Sequence, residues 1–136
     1  MVQNVPPTQV WEALRSDSNA VLVDVRTNAE WSLVGLPDLS GIGKEPVLIQ
    51  WQLYPSMQMN PHFTRQMREQ GLTETKRIYF ICRSGVRSLA AAQAARVDGF
   101  LHTFNVADGF EGPIDADGHR GTTAGWKVEN LPWQQR

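Results

Sequence analysis

Four short runs along the chain are dense in branched and aromatic residues: Val21-Leu22-Val23-Asp24-Val25, Val47-Leu48-Ile49-Gln50-Trp51, Ile78-Tyr79-Phe80-Ile81 and Leu101-His102-Thr103-Phe104-Asn105-Val106. Each has the length and composition of a β-strand, and the third, without a polar interruption, reads as fully buried. Helical spacing fills the intervals. Val10, Trp11 and Leu14 share one face of a helix from Thr8, as N-cap, through Arg15, and Ser16 to Asn19 turn the chain. Asn28-Ala29-Glu30-Trp31 opens a short helix. Asn60 and Pro61 have the character of an N-cap and first helical residue, with the helix running to Gln70, Gly71 as its C-cap, and Phe63 and Met67 inward at i and i+4. The alanine-rich run after Ser88 predicts a strong helix from Ser84 to about Val97, ended by Asp98-Gly99. Strands and helices thus alternate at short spacing, which requires crossover connections. The expected class is α/β, with a mainly parallel central sheet and helices on both faces.

The remaining stretches read as loops. Gly35 to Gly43 holds three glycines and a proline; Gln52 to Met59 is irregular, its Tyr54, Pro55 and two methionines expected to pack. From Asp108 to Gly125 five glycines mix with charged residues, and Trp126, Leu131, Pro132 and Trp133 are placed to anchor the tail on the domain.

Composition narrows the function. At 136 residues the chain is one domain's worth, and 13 basic against 14 acidic residues leave a net charge of −1, which favours neither nucleic acid nor an anionic membrane as partner. The single cysteine excludes an internal disulfide and fits a reducing compartment. Met1 to Pro7 lack a basic region followed by an apolar run, and no 18-residue apolar stretch occurs, so a soluble, cytoplasmic protein is expected. Neither a metal nor another cofactor is implied. His62, His102 and His119 lack ligand spacing, and Asp115-Ala116-Asp117-Gly118, which opens like a calcium loop, has Trp126 where position 12 needs glutamate. His119 is expected to be a solvated loop side chain.

The chemistry converges on Cys82, at the joint between the third strand and the alanine-rich helix. A tight strand-to-helix turn aims successive backbone N–H groups at one spot, and the helix dipole adds partial positive charge. Arg83 and Arg87 contribute two full charges within five residues, so the thiol is expected to ionise readily, and thiolate is the nucleophilic form. Gly85 supplies backbone freedom; Ser84 and Ser88 are placed to cap the helix or donate to a sulfur anion. Flanking guanidinium groups have no packing rationale beside a merely structural thiol. Asp24, at the end of its apolar strand, needs a partner, with Arg26 and Arg87 the candidates and Glu30 within reach of Arg26. These groups are expected mainly to hold a loop at the site. In parallel sheets ligands bind at the carboxyl ends of strands, where both Cys82 and Asp24 fall.

Cys82-Arg83-Ser84-Gly85-Val86-Arg87-Ser88 after a hydrophobic strand resembles the rhodanese family of single-domain sulfurtransferases. The resemblance extends to Asp24-Val25-Arg26 with Glu30 and Trp31, to Asp108-Gly109-Phe110-Glu111-Gly112 and to the segment from Trp126 to Trp133, covering about residues 5–133 of a single domain spanning 1–136. Two departures mark the rim: Gly35-Leu36-Pro37-Asp38-Leu39 replaces a common Gly-His-Ile-Pro-Gly-Ala type motif, and about 113–125 form an insertion. The resemblance implies that Cys82 takes a sulfane sulfur from thiosulfate or a low-molecular-weight persulfide and passes it to a thiol or cyanide. It makes Arg83, Ser84, Gly85, Val86, Arg87 and Ser88 the substrate-binding loop and Asp24 and Arg26 its support. The implied partners are a small anionic sulfur donor and a thiol acceptor or sulfur-accepting protein, since no second cysteine can discharge the persulfide.

Two other readings use the same residues. Phosphatases and arsenate reductases of related fold carry an arginine-bearing cysteine loop, but the phosphatase loops place arginine six positions after cysteine, whereas Arg87 comes five after Cys82. Rhodanese-like domains without the cysteine serve as docking modules, and an accessible acidified thiol would also suit redox sensing.

Overall fold

The computed structural model describes residues 2–135; Met1 and Arg136, the ends of the expected domain, lie outside the described residues. In chain order the elements are β1 (Gln3–Val5), α1 (Pro7–Ser16), β2 (Ala20–Asp24), α2 (Asn28–Leu33), β3 (Leu36–Pro37), a 3-10 turn at Ser40–Ile42, β4 (Val47–Leu48), β5 (Gln52–Leu53) and β6 (Gln58–Met59). Then come α3 (Phe63–Glu69), β7 (Arg77–Ile81), α4 (Val86–Val97), β8 (His102–Val106) and β9 (Trp133–Gln134). Five strands form one sheet in the order β1-β8-β7-β2-β4, every pair parallel, with β7 in the middle.

Period-two alternation divides the side chains of this sheet between two cores. Val23, Val25, Ile78, Phe80 and Cys82 face α3 and α4, where they meet Phe63, Met67, Ala91, Ala92 and Ala95. Alanines at three buried positions let the α4 backbone lie close to the sheet. The other face carries Ala20, Leu22, Tyr79 and Ile81 against Val10 and Leu14 of α1 and against Trp126. Trp126 is fully buried: its ring packs edge-on to Trp11, and its indole N–H donates to the Pro132 carbonyl oxygen at 2.7 Å. The tail therefore closes the second core, and β9 pairs antiparallel with β3.

The α/β class and the parallel sheet with helices on both faces are as the sequence predicts, whereas several element limits differ. β1 was not foreseen; its three residues gain order by pairing with β8. α1 begins at Pro7 with Pro6 as N-cap, one residue before Thr8, because the proline ring presets helical φ. α3 begins at Phe63: the Asn60 carboxamide oxygen accepts the His62 N–H at 3.0 Å, forming a turn before the helix. The strand predicted at Val47 to Trp51 is regular only at Val47–Leu48, although Ile49 and Trp51 continue to donate to the carbonyls of Asp24 and Val25. The segment from Gln52 to Met59 is a small hairpin, and Tyr54, Met57 and Met59 are 55 %, 40 % and 63 % exposed, contrary to the packing expected of them. No helix among the described residues is long and apolar enough to cross a membrane.

Candidate active site

Cys82 follows the last residue of the central strand, so its position is fixed by the stiffest part of the sheet. It shares the α4 face with Phe80 and is 1 % exposed. Between Cys82 and α4 the chain turns through Arg83, Ser84 and Gly85. Gly85 is the N-cap at φ +107°, a conformation that needs glycine, and no side chain caps α4. Ser84, expected as a possible cap, makes no side-chain hydrogen bond among the described residues. The turn instead aims the Gly85 N–H at the Cys82 Sγ, 3.1 Å away, while the Ser88 hydroxyl, buried one turn into α4, lies 3.2 Å from the same sulfur. Val86, the first helical residue, is 76 % exposed at the loop's outer edge.

The loop is clasped from behind. After β8 the chain returns to donate from Phe110 to the Cys82 carbonyl at 2.8 Å and from Glu111 to that of Arg83 at 2.9 Å. Gly109, at φ +60°, makes this approach feasible, since a Cβ there would collide with the carbonyl groups of Cys82 and Arg83. The Asp108 to Gly112 segment thus sets the loop's shape without touching the thiol. Beyond it, the inserted residues are organised by Asp115, whose carboxylate accepts from Asp117, His119 and Thr122. His119 is exposed, and Arg120 donates to the Gly112 carbonyl at 2.8 Å.

The two loop arginines differ sharply. Arg87 is mostly buried and donates from both terminal nitrogens to Glu30, at 2.6 and 2.9 Å. Burial is the strongest single influence on Glu30 and opposes its charge, but the Arg87 hydrogen bonds and charge, the Thr27 N–H and the Arg26 charge together outweigh it and hold the carboxyl below the usual carboxylate range. The same bonds raise Arg87, with the Cys82 sulfur among the further charges that favour its cation. Arg83 is exposed and has no hydrogen-bond or ion-pair partner for its side chain among the described residues. It is the loop cation whose charge no carboxylate neutralises.

Asp24 and Arg26 are both fully buried and pair side by side: Nε reaches Oδ1 at 2.9 Å and Nη2 reaches Oδ2 at 2.6 Å. The guanidinium also donates to the Gly35 carbonyl at 2.7 Å and lies 4.4 Å from the Phe110 ring centroid. Of the two partners the sequence offers Asp24, Arg26 takes it; Arg87 takes Glu30. The Asp24 register against Ile81 puts this pair on the sheet face opposite Cys82. It reaches the site indirectly, by pinning the turn that follows α2, the helix that carries Glu30. Thr27 completes that helix with a capping box: its hydroxyl accepts the Glu30 N–H, and its own N–H donates back to the Glu30 carboxylate.

Asn105 belongs to this constellation and was read from sequence only as a strand residue. It pairs in register with Phe80, faces α4, is 3 % exposed, and its Oδ1 lies 2.5 Å from the Ser88 Oγ. The signal was a carboxamide at an inward position of an alternating strand, where an apolar residue would be expected.

The chain as a whole is similar to known proteins. Residues 4–136 match the family model described as the STR4 middle domain. The chain belongs to the rhodanese family. A Rickettsia conorii protein, named only as uncharacterized, is 38 % identical over 133 residues, with 98 % of each chain covered. The chloroplastic rhodanese-like domain-containing protein 4 of Arabidopsis thaliana is 27 % identical over 121 residues, which span 88 % of this chain and 23 % of that one. Among solved structures, the crystal structure of Rv0390 from M. tuberculosis superposes with a TM-score of 0.90 at 43 % identity, covering 99 % and 98 % of the two chains. The polysulfide-sulfur transferase of Wolinella succinogenes shares the fold at 20 % identity and a TM-score of 0.66, over 99 % of this chain and 80 % of that one. The rhodanese domain described here therefore carries the family's fold, with its lone cysteine at the carboxyl end of the central strand.

Proposed function

We propose that this rhodanese domain is a sulfurtransferase that works through a persulfide on Cys82. The observation carrying this reading is the cradle: a backbone N–H and a hydroxyl directed at one sulfur, between a strand end and an uncapped helix start. Such donors stabilise a sulfur anion, and the Gly85 N–H is already aimed at it before it forms. In the first half-reaction the Cys82 thiolate attacks the outer sulfur of thiosulfate; the new S–S bond forms as the old one breaks, and sulfite leaves with the electron pair. In the second, a thiolate or cyanide attacks the outer persulfide sulfur, and Cys82 departs as thiolate. No net oxidant or reductant is consumed. The persulfide sulfur stands about 2 Å beyond Sγ, which carries the transferable atom outward from a buried thiol.

The two arginines divide the electrostatic work. Arg87, neutralised by Glu30, fixes α2 against the loop, whereas Arg83 recruits the anionic donor. Ser84 and Val86 line the outer side of the loop, and Asp24 and Arg26 brace the turn after α2. The lone thiol requires an external acceptor, a small thiol or a sulfur-accepting protein. Thiocyanate formation from thiosulfate and cyanide tests the assignment: wild type should turn over and Cys82→Ser should not. Comparable rates in the two proteins would contradict it, and hydrolysis of an aryl phosphate in place of sulfur transfer would favour phosphatase chemistry.

A further inference from the structure

The Ser88 hydroxyl has one proton and two acceptors within reach: the Cys82 Sγ at 3.2 Å and the Asn105 Oδ1 at 2.5 Å. It cannot serve both at once. The direction of the Asn105 carboxamide is fixed by its other end, where Nδ2 donates to the Gly85 carbonyl at 3.1 Å and to the Asn4 side-chain oxygen at 2.8 Å. A carbonyl oxygen only accepts, so the amide nitrogen must face Gly85 and the amide oxygen must face Ser88. Turning the carboxamide over would set two acceptor oxygens against each other at Gly85. Asn105 therefore offers Ser88 an acceptor and never a donor.

We propose that Asn105 is a positioning residue for Cys82 that acts by competing with the sulfur for the Ser88 proton. While Cys82 is a thiol, its S–H points to the Ser88 oxygen and the Ser88 O–H points to Asn105, so all three groups are paired. When the sulfur becomes an anion, as attacking thiolate or as the thiolate released from the persulfide, the hydroxyl rotates by one torsion and donates to Sγ. The Asn105 oxygen then loses its donor. The competition holds the sulfur anion at lower stability than an unopposed hydroxyl would, and an anion less stabilised by its hydrogen bond is the stronger nucleophile toward a sulfur donor. The Gly85 carbonyl held by Asn105 belongs to the same glycine whose N–H meets the sulfur, so one side chain sets both donors of the cradle.

The inference rests on Cys82 being the reacting thiol. Alkylation reads that sulfur directly, so this test can fail without bearing on whether thiosulfate loads it. The rate of iodoacetamide alkylation is measured across pH for wild type, Asn105→Leu and Asn105→Asp, each also in a Ser88→Ala background, after thermal melts establish folding. In Asn105→Leu the hydroxyl has only sulfur to donate to, so the thiolate fraction on the acidic limb is expected to rise about fivefold, the equivalent of about one net hydrogen bond; the weaker nucleophilicity of the more stabilised anion leaves alkylation there about two- to threefold faster, and the profile moves to lower pH. Asn105→Asp supplies an acceptor with charge, so its profile is expected to move the opposite way. Without the Ser88 hydroxyl the leucine substitution should leave the pH profile where Ser88→Ala alone places it. A purely structural role would slow both variants and persist in Ser88→Ala. Slower or unchanged alkylation in Asn105→Leu, or the same acceleration without the hydroxyl, would overturn the proposal. Should Asn105→Asp fail to fold, the leucine cycle decides alone.

Discussion

Replacing Asp24 with Asn tests how the fold holds the elements around Cys82. The substitution keeps the shape of the side chain but removes the counter-charge from Arg26, which is fully buried, stacks on Phe110 and also donates to Gly35. Losing one partner of a buried ion pair costs about 3–5 kcal/mol, a large part of the roughly 5–15 kcal/mol that stabilises a domain. With an unfolding entropy of about 2.1 cal/mol/K per residue, a chain of 136 residues should lose about 10–17 °C in Tm, measured by circular dichroism on heating. The control is Asp24→Leu with Arg26→Met, which removes both charges from the same space. It should recover at least half of the loss, because the dominant cost is an uncompensated charge rather than the missing pair, while the Gly35 carbonyl left without its donor keeps recovery incomplete. An Asp24→Asn melt within about 3 °C of wild type would refute the assignment of this pair as the brace of the turn after α2. So would a double variant as unstable as the sum of the two single ones.

Other consequences follow from the unequal arginines. Arg83→Ala should raise KM for thiosulfate about three- to tenfold with kcat little changed, as expected for an exposed charge that acts on binding and is screened by salt; an unchanged KM at low ionic strength would reassign that role. The Glu30 carboxyl is depressed in the folded protein, so its contribution to stability is complete above the unfolded value of about 4.3 and is lost as pH falls through the lower folded value. Urea midpoints followed from neutral to acidic pH should therefore fall less steeply below about pH 4.5 in Glu30→Gln than in wild type, and parallel curves would contradict the Arg87 pairing.

Much of the fold was legible because the apolar runs are short, branched and separated by helical spacing, which leaves a parallel sheet as the economical solution. Short strands were the exception. Gln3–Val5 and Trp133–Gln134 owe their order to the neighbours they pair with, and no local pattern of three or two residues announces that. Cys82, Gly85 and Ser88 were visible because a thiol, a glycine and a hydroxyl at fixed spacing on a strand-to-helix turn meet at one point whatever the rest of the chain does. The division of labour between Arg83 and Arg87 was not visible. It depends on Glu30, which sits 57 residues before Arg87 and is delivered by α2. Asn105 was hidden for a similar reason: its role depends on the β7–β8 register, which places it beside Phe80 and within reach of Ser88.

The central claim is that Cys82 carries a sulfur between two substrates, and intact-protein mass spectrometry reads this directly. Wild type incubated with thiosulfate should gain one sulfur, about 32 Da for a cysteine persulfide formed by a nucleophilic thiolate, and lose it on addition of cyanide or glutathione, while Cys82→Ser stays unchanged throughout. A wild-type protein that gains no mass from thiosulfate or from glutathione persulfide, or a Cys82→Ser variant that gains as much, would contradict the account.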